Sequence, residues 1–278
     1  MNTNLKKLLI KTKKSVFSHQ IGNNSSKFKG DGYDFVELRE YEDGEDIRKI
    51  DWMISAKLQT PYVKLFHTQR QLNISIVPIL NGSVHFGSSR LKQEVITEIC
   101  ALLGYASVSN GDSFESFIAN EGVVLNTKKS KSLYGVDKMC ETIDSYNALG
   151  KDAVYNKISS ELFKYIKSKS LIFLIGDFFN ISQLDLKLLS KKHEVIAVIV
   201  RDLFEEDPSS LGNVNFTDPV TGKVFEGNLN SPLVSKYRKK VKQNDLKLYD
   251  IFNKSSIEFI KVYTHDNAAV KLMKLFGG

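Results

Sequence analysis

The sequence predicts an α/β fold, a largely parallel sheet flanked by helices, with a β-rich subdomain ahead of it. Three observations carry this expectation. Residues 171–175 (Leu-Ile-Phe-Leu-Ile) and 195–200 (Val-Ile-Ala-Val-Ile-Val) are unbroken apolar runs, the pattern of strands buried on both faces. Helix-like stretches separate them from each other and from a further apolar run at 74–80. Residues 27–70, by contrast, read as short alternating strands and turns.

The elements follow in order. Residues 1–20 form a basic N-terminal helix or arm, with Leu5, Leu8, Leu9 and Val16 as its packed stripe and its lysines turned outward. The β-rich subdomain spans 21–70. Tyr33 to Leu38 and Pro61 to Phe66 alternate like half-buried strands, and Glu42-Asp43-Gly44-Glu45 is a turn in which Gly44 is free to take positive φ. The α/β domain spans 71–278. Its first strand contains Pro78, which removes a ladder donor. A long helix is expected over about 91–109, a short strand over 114–119, and helices over 132–146, 151–168 and 182–191. Residues 203–229 hold Pro208, Gly212, Pro219, Gly222 and Gly227 and read as a loop with a small inserted hairpin. A helix over 231–253, a strand over 257–262 and a helix over 267–276 close the domain.

At 278 residues the chain is long enough for a substantial core. Two cysteines, Cys100 and Cys140, exclude a disulfide framework and a Cys-based zinc site. Apolar runs fall short of the about 20 residues that cross a bilayer, and Leu8-Leu9-Ile10 is too short for a secretory signal, so a cytoplasmic location is expected. The net charge of +7 is concentrated. Residues 1–30 hold seven lysines and no acid, and the rest of the chain is balanced. Lys6, Lys7, Lys11, Lys13 and Lys14 thus form a basic arm that suits nucleic acid, an anionic membrane surface or an acidic partner, or that simply solvates a helix face. Lys236, Arg238, Lys239, Lys240 and Lys242 have the same two readings.

Common catalytic signatures are missing. There is no phosphate-binding Gly-x-x-x-x-Gly-Lys-Ser/Thr loop, no Gly-x-Gly-x-x-Gly fingerprint and no Gly-x-Ser-x-Gly elbow. His19, His67, His85, His193 and His265 are scattered, with no pair at ligand spacing. Asp43, Glu45 and Asp46 lie in a turn, where adjacent carboxylates are usually solvated, without a nucleophile or metal partner in sequence. The chain therefore reads as a non-enzyme.

One segment is dense in pairing groups. Arg39 and Arg48 offer planar forks, Glu40, Asp46 and Asp51 offer carboxylates, and Tyr41 and Trp52 offer aromatic surface. Trp52, the sole tryptophan, suits an anchor in a core. The segment reads either as a charge-stapled hairpin or as a partner-binding surface.

This block, with Ser26-Lys27-Phe28-Lys29-Gly30-Asp31-Gly32-Tyr33 before it, resembles the bacterial domain-of-unknown-function family 58, relatives of von Willebrand factor A domains. Phe86-Gly87, Gly176-Asp177-Phe178, Arg201-Asp202 and Asp218-Pro219-Val220-Thr221-Gly222 follow in the family's order. The resemblance implies a von Willebrand A-like sheet and a role as adaptor to a MoxR-type AAA+ ATPase, assembling or activating other proteins. It also implies a magnesium-type site whose first loop reads Asp-x-Ser-x-Ser, and here the chain departs. Ile79 stands at the Asp position and cannot ligate, Asn81 replaces the first Ser, and Lys151 follows Gly150 where the family has Thr. Only Ser83 and Asp177 remain. The expectation is a degenerate site that holds no metal and needs no cofactor, with the Lys151 ammonium repelling a cation, taking its place or receiving a partner's carboxylate.

Overall fold

The computed structural model describes residues 3–23, 35–66 and 71–275. Residues 26–34, which carry part of the resemblance, and His67 lie outside them. The chain divides into two compact units, Ile21–Gln71 and the rest. Helix α1 (Thr3–Asn23) begins the larger unit. The smaller unit comprises β1 (Phe35–Glu40), a 3-10 turn (Ile47–Lys49), α2 (Trp52–Leu58) and β2 (Tyr62–Phe66). The larger unit resumes with β3 (Asn73–Pro78), a 3-10 turn (Gly82–His85), α3 (Lys92–Ser109), β4 (Ser113–Ala119) and β5 (Val123–Ser130). It continues through α4 (Leu133–Asp144), α5 (Tyr155–Tyr165), β6 (Leu171–Gly176), α6 (Lys187–Lys192) and β7 (Glu194–Arg201). Helix α7 (Leu203–Glu206), strands β8 (Gly212–Thr217) and β9 (Val224–Leu229), α8 (Ser231–Lys254), β10 (Glu258–Tyr263) and α9 (Ala268–Leu275) complete it.

Six strands of the larger unit form one sheet in the order β5-β4-β3-β6-β7-β10, all parallel except the edge strand β5. This is the doubly wound order, with the reversal between β3 and β6. Alternate residues of each strand enter different cores. Phe173 and Ile175 face one core with α1, α3, α4 and α9; Ile172 and Leu174 face the other with α5, α6 and α8. Burial on both faces explains the unbroken apolar runs. Pro78 leaves the expected mark. The β3–β4 ladder stops at Ile76↔Ser116 and resumes as a bridge at Ile79↔Ala119. Leu80 N, two residues on, donates to Ala119 O across this edge, so the missing Pro78 donor faces β4, and the β6 side runs on through Pro78↔Ile175.

Helix α1 is tied into the core. Leu5 and Leu9 are buried, Leu8 and Val16 pack beside them, and Lys6, Lys7, Lys11, Lys13 and Lys14 are exposed. In the smaller unit, residues 52–58 depart from the expected strands and turns. Ile54 N donates to Asp51 Oδ1 at 3.0 Å, which caps a helical turn, and Gln59 ends it in the left-handed region (φ 60°). Strand β5 is an addition to the expected elements. Its polar second half lacks the apolar run of a buried strand. Helix α6 is six residues long and begins later than expected.

The β8–β9 hairpin pairs Gly212↔Leu229 through Thr217↔Val224. Its turn lies on the loops at the carboxyl ends of the sheet strands. Gly150 N donates to Pro219 O at 3.0 Å, and a Cβ on Gly82 would overlap that same carbonyl. Gly82 is thus needed for close approach.

Two predictions follow from this packing. Leu9→Ala lowers unfolding free energy by about 2–5 kcal/mol, while Lys11→Ala changes it by less than about 0.5 kcal/mol, measured by urea melts. His193, where α6 meets β7, is buried with both ring nitrogens unpartnered among the described residues, and burial, with Lys192 nearby, holds its pKa below the ordinary value. The unfolded chain therefore takes up the proton first as pH falls. Stability contributed by the neutral ring is complete above about pH 6.5 and is lost progressively below it, until the folded-state pKa is also passed. Melts of the His193→Gln variant between pH 7 and 5 show a shallower decline than the wild type.

Candidate functional site at the strand-end switch point

The crevice outside the carboxyl ends of β3 and β6 is where a sheet of this order places its site. The loop after β3 brings Asn81 and Ser83, and the loop after β6 brings Asp177. Ser83 Oγ lies against Asp177 Oδ2 and 2.8 Å from Asn81 Oδ1. Its single proton is shared between the two oxygens, of which the carboxylate is the stronger acceptor. Ile79 points away from this cluster into the core beside Gly176, as an aliphatic side chain must.

Lys151 does not join them. Its Nζ donates to Tyr146 Oη at 2.6 Å and sits 4.4 Å from the centre of that ring. Only its backbone touches the loop, accepting from Gly82 N at 2.9 Å. The sequence expectation that Lys151 holds the cation position is thus corrected, and the ammonium beside the carboxylate belongs to Lys92. This first residue of α3 is fully buried. Its Nζ is 3.3 Å from Asp177 Oδ2 and 2.6 Å from Glu205 Oε1 of α7. Helical side chains lean toward the helix N-terminus, which carries Lys92 back to the strand ends.

A second group of charges holds the frame. Arg201 ends β7 fully buried. Its guanidinium donates to the carbonyls of Asp177 and Phe178, the latter at 3.1 Å, and to Asp245 Oδ1 at 3.3 Å, and lies 4.2 Å from the centre of the Phe179 ring. Lys261 Nζ of β10 reaches Glu206 Oε1 at 2.8 Å and Asp245 Oδ2 at 2.6 Å. Phe178 takes φ +48°, a costly conformation for a bulky residue. The Arg201 donors and the flanking rings of Tyr155 and Phe252 hold it there. The resulting sharp turn places Asp177 beneath Ser83 and Lys92.

Electrostatics separates the two carboxylates. Burial alone would raise Asp177, but the Lys92 ammonium, the Ser83 hydroxyl and the Arg201 guanidinium outweigh it and hold the group below its usual range. Burial raises Glu205, and Lys92 offsets only part of the rise. Both line a cleft of about 740 Å³, with Asn81, Ser83, Tyr237 and the hairpin turn at Pro219 as further walls. Cys100 and Cys140 are buried elsewhere, and burial raises both thiols well above the ordinary range.

The residues present do not fit a resident divalent ion. Asp177, Ser83 and Asn81 are hard oxygen donors of the right kind. The space between Asp177 and Glu205, however, is taken by Lys92 Nζ. Among the described residues no three His, Cys, Asp or Glu side chains gather as a metal-binding group.

The charged segment of the smaller unit is built by itself. Arg39 pairs with Glu45 at 2.6 Å and Glu42 at 3.1 Å, and Tyr41 Oη donates to Glu45 O at 3.0 Å. Asp46 caps the 3-10 turn and pairs with Arg48 at 2.8 Å; Asp51 caps α2; Tyr62 Oη donates to Glu40 Oε1 at 3.3 Å. Pairing with Arg39 and Arg48 holds Glu45 and Asp46 below their usual carboxylate range. Trp52 departs from its expected role as a core anchor. It is 69% exposed, beside exposed Met53, and walls an open groove of about 560 Å³ with Tyr41, Ile50 and Pro61.

Lys92, Glu205, Arg201, Asp245 and Lys261 were not singled out as site residues by the sequence reading. Two signals were available. Lys92 puts a cation in the first turn of a helix, against its dipole, and Arg201 follows the unbroken apolar run 195–200.

The sheet order and the antiparallel edge strand define a von Willebrand A-like fold, with the polar cluster at its β3/β6 reversal. A family model described as "Protein of unknown function DUF58" matches residues 37–246, and the chain belongs to that family. Uncharacterized protein Mb1516 of Mycobacterium bovis is 23% identical over 220 residues, covering 76% of this chain and 68% of its own length. Uncharacterized protein Rv1480 of Mycobacterium tuberculosis matches to the same extent. Among solved structures, the conserved hypothetical protein BatB of Bacteroides thetaiotaomicron overlaps 74% of this chain and all of its own, at a TM-score of 0.47 and 10% identity. A von Willebrand factor type A structure from Catenulispora acidiphila overlaps 66% of this chain and 44% of its own, at 0.34 and 12%. At those overlaps the strand order, not the superposition, carries the fold.

The exposure of the sole tryptophan is directly measurable. Trp52 emission is accessible to iodide and acrylamide in the folded chain, with quenching constants close to those in denaturant; strong protection would contradict the placement described.

Proposed function

We propose that the protein is a non-enzymatic interaction module, an adaptor for a MoxR-type AAA+ ATPase in assembling or activating other proteins. The observation that carries the reading is the exposed apolar surface of the smaller unit. Trp52, Met53 and Ile47 are each more than half exposed, on a segment held by the Arg39–Glu45 and Arg48–Asp46 pairs. Large exposed apolar side chains on a rigid support mark contact surfaces, and tryptophan and arginine dominate such contacts. Arg39, Glu40, Tyr41, Asp46, Arg48, Asp51 and Trp52 are therefore the proposed contact block, with the scaffold pairs setting its shape. The strand-end cleft supports the same reading, because its acids are neutralised from within and offer a partner a shaped surface that needs no ion.

A second reading, nucleic-acid or anionic-membrane binding, is favoured by one observation: α1 turns five lysines outward on a helix anchored by Leu5 and Leu9. The same anchoring makes truncation of residues 1–20 a poor test, since it would open the core.

The decisive comparison uses the full chain and a purified MoxR-type ATPase under ATP and ADP. Trp52→Ala lowers binding at least about tenfold, a loss of about 1.4 kcal/mol, without lowering the melting temperature. Replacing Lys6, Lys7, Lys11, Lys13 and Lys14 by Gln leaves it unchanged. No binding in either nucleotide state contradicts the adaptor reading. Steeply salt-dependent binding to duplex DNA or anionic vesicles, lost with the five lysines, favours the second.

A further inference from the structure

We infer that Lys92 is a built-in replacement for a divalent cation, and that the strand-end cluster is a masked divalent site. The inference is independent of the adaptor reading, and its test involves no partner. Lys92 bears two penalties. Its ammonium is wholly buried, and it stands in the first turn of an 18-residue helix, where the dipole disfavours positive charge. Two carboxylates compensate it, Asp177 at 3.3 Å and Glu205 at 2.6 Å.

The groups around the ammonium are those a hard ion would take. Asp177 and Glu205 offer carboxylates, Ser83 a hydroxyl on the same Asp177 oxygen, and Asn81 an amide oxygen 2.8 Å from that hydroxyl. Mg²⁺ and Mn²⁺ favour all-oxygen shells at about 2.0–2.1 Å, so an ion at the Nζ position needs Asp177 to close by about an ångström and Glu205 by about half of that. The adjoining cleft supplies space for the waters that such an ion keeps. The frame is stiff. Arg201 clamps the Asp177 and Phe178 carbonyls, and Phe178 is held at positive φ. The backbone that carries Asp177 is therefore held whichever cation sits at the cluster, and the side chains supply the adjustment.

A tethered ammonium differs from an ion in one respect that matters. It does not dissociate, so the cluster keeps one arrangement at every divalent-ion concentration and resists chelators. Deleting the ammonium removes the cation shared by buried Asp177 and half-buried Glu205, and an added ion then has both a place and a driving force.

The experiment is a Mn²⁺ titration, followed by electron paramagnetic resonance, of the full-length wild type, Lys92→Met, Lys92→Gln and Lys92→Met/Asp177→Asn. Thermal melts are recorded with and without Mg²⁺. Lys92→Gln keeps a donor for one carboxylate and protects against failure to fold. In the wild type Mn²⁺ binding at the cluster is absent and Mg²⁺ leaves the melting temperature unchanged. One or both single variants bind Mn²⁺ at least about tenfold more tightly than wild type, melt higher in Mg²⁺, and lose both gains with Asp177→Asn. Absence of any gain in every single variant that folds overturns the inference. So does a wild-type Mn²⁺ complex that Asp177→Asn removes, and so does failure of both single variants to fold even in Mg²⁺, since an ion able to stand in for the ammonium restores the chain.

Discussion

The larger unit is organised at its functional end by one buried contact, the Lys92 ammonium between Asp177 and Glu205. Three separate elements meet there: the start of α3, the turn after β6 and the short helix α7. Each charge alone would be costly to bury, and each becomes tolerable because the others are present. The contact also fixes neighbours that carry no charge. Asp177 Oδ2 is shared by Lys92 and Ser83, so the β3 loop, the β6 turn and α3 are positioned together. Buried pairs of this kind supply little net stability compared with an apolar core, but they allow few alternative arrangements. The Arg201, Asp245, Glu206 and Lys261 network extends the same principle to β7, β10, α7 and α8.

This arrangement gives a physical reason for the departure from the metal-binding pattern in the first strand-end loop. Ile79 packs into the core, and Lys92 supplies the positive charge that neighbouring carboxylates require. The two features fit each other. A carboxylate at position 79 would enter that apolar core without a partner. Asn81 and Ser83 remain useful without an ion, because they order the Asp177 carboxylate through hydrogen bonds. The hairpin turn resting on Gly82 and Gly150 then shapes a cleft above a cluster whose charge is already largely balanced.

Most of the fold was legible from local pattern. Residues 171–175 and 195–200 announced themselves because burial on both faces forbids polar positions. The lysines and leucines of α1 announced an amphipathic helix that the structure docks on the core. Two elements escaped. Helix α2 is set by a side-chain cap at Asp51 rather than by periodicity, and half of β5 is polar because it is an edge strand. The site divides in the same way. Asn81, Ser83 and Asp177 lie at strand ends and were found by position. Lys92 and Glu205 come from helices, and only tertiary folding brings them to the strand ends. Lys151 was misassigned for the matching reason, since backbone proximity to the loop does not decide where a long side chain goes. Trp52 shows the reverse error. Its size suggested a core, whereas the cap at Asp51 and the short helix after it turn the ring to solvent.

The claim that a tethered ammonium stands where a related scaffold would carry an ion is tested most directly by anomalous scattering from wild-type crystals soaked in Mn²⁺. The account predicts no anomalous peak within bonding distance of Asp177 and Glu205, and clear density for the Lys92 side chain between them. A peak at that position, with Lys92 swung aside, would contradict it.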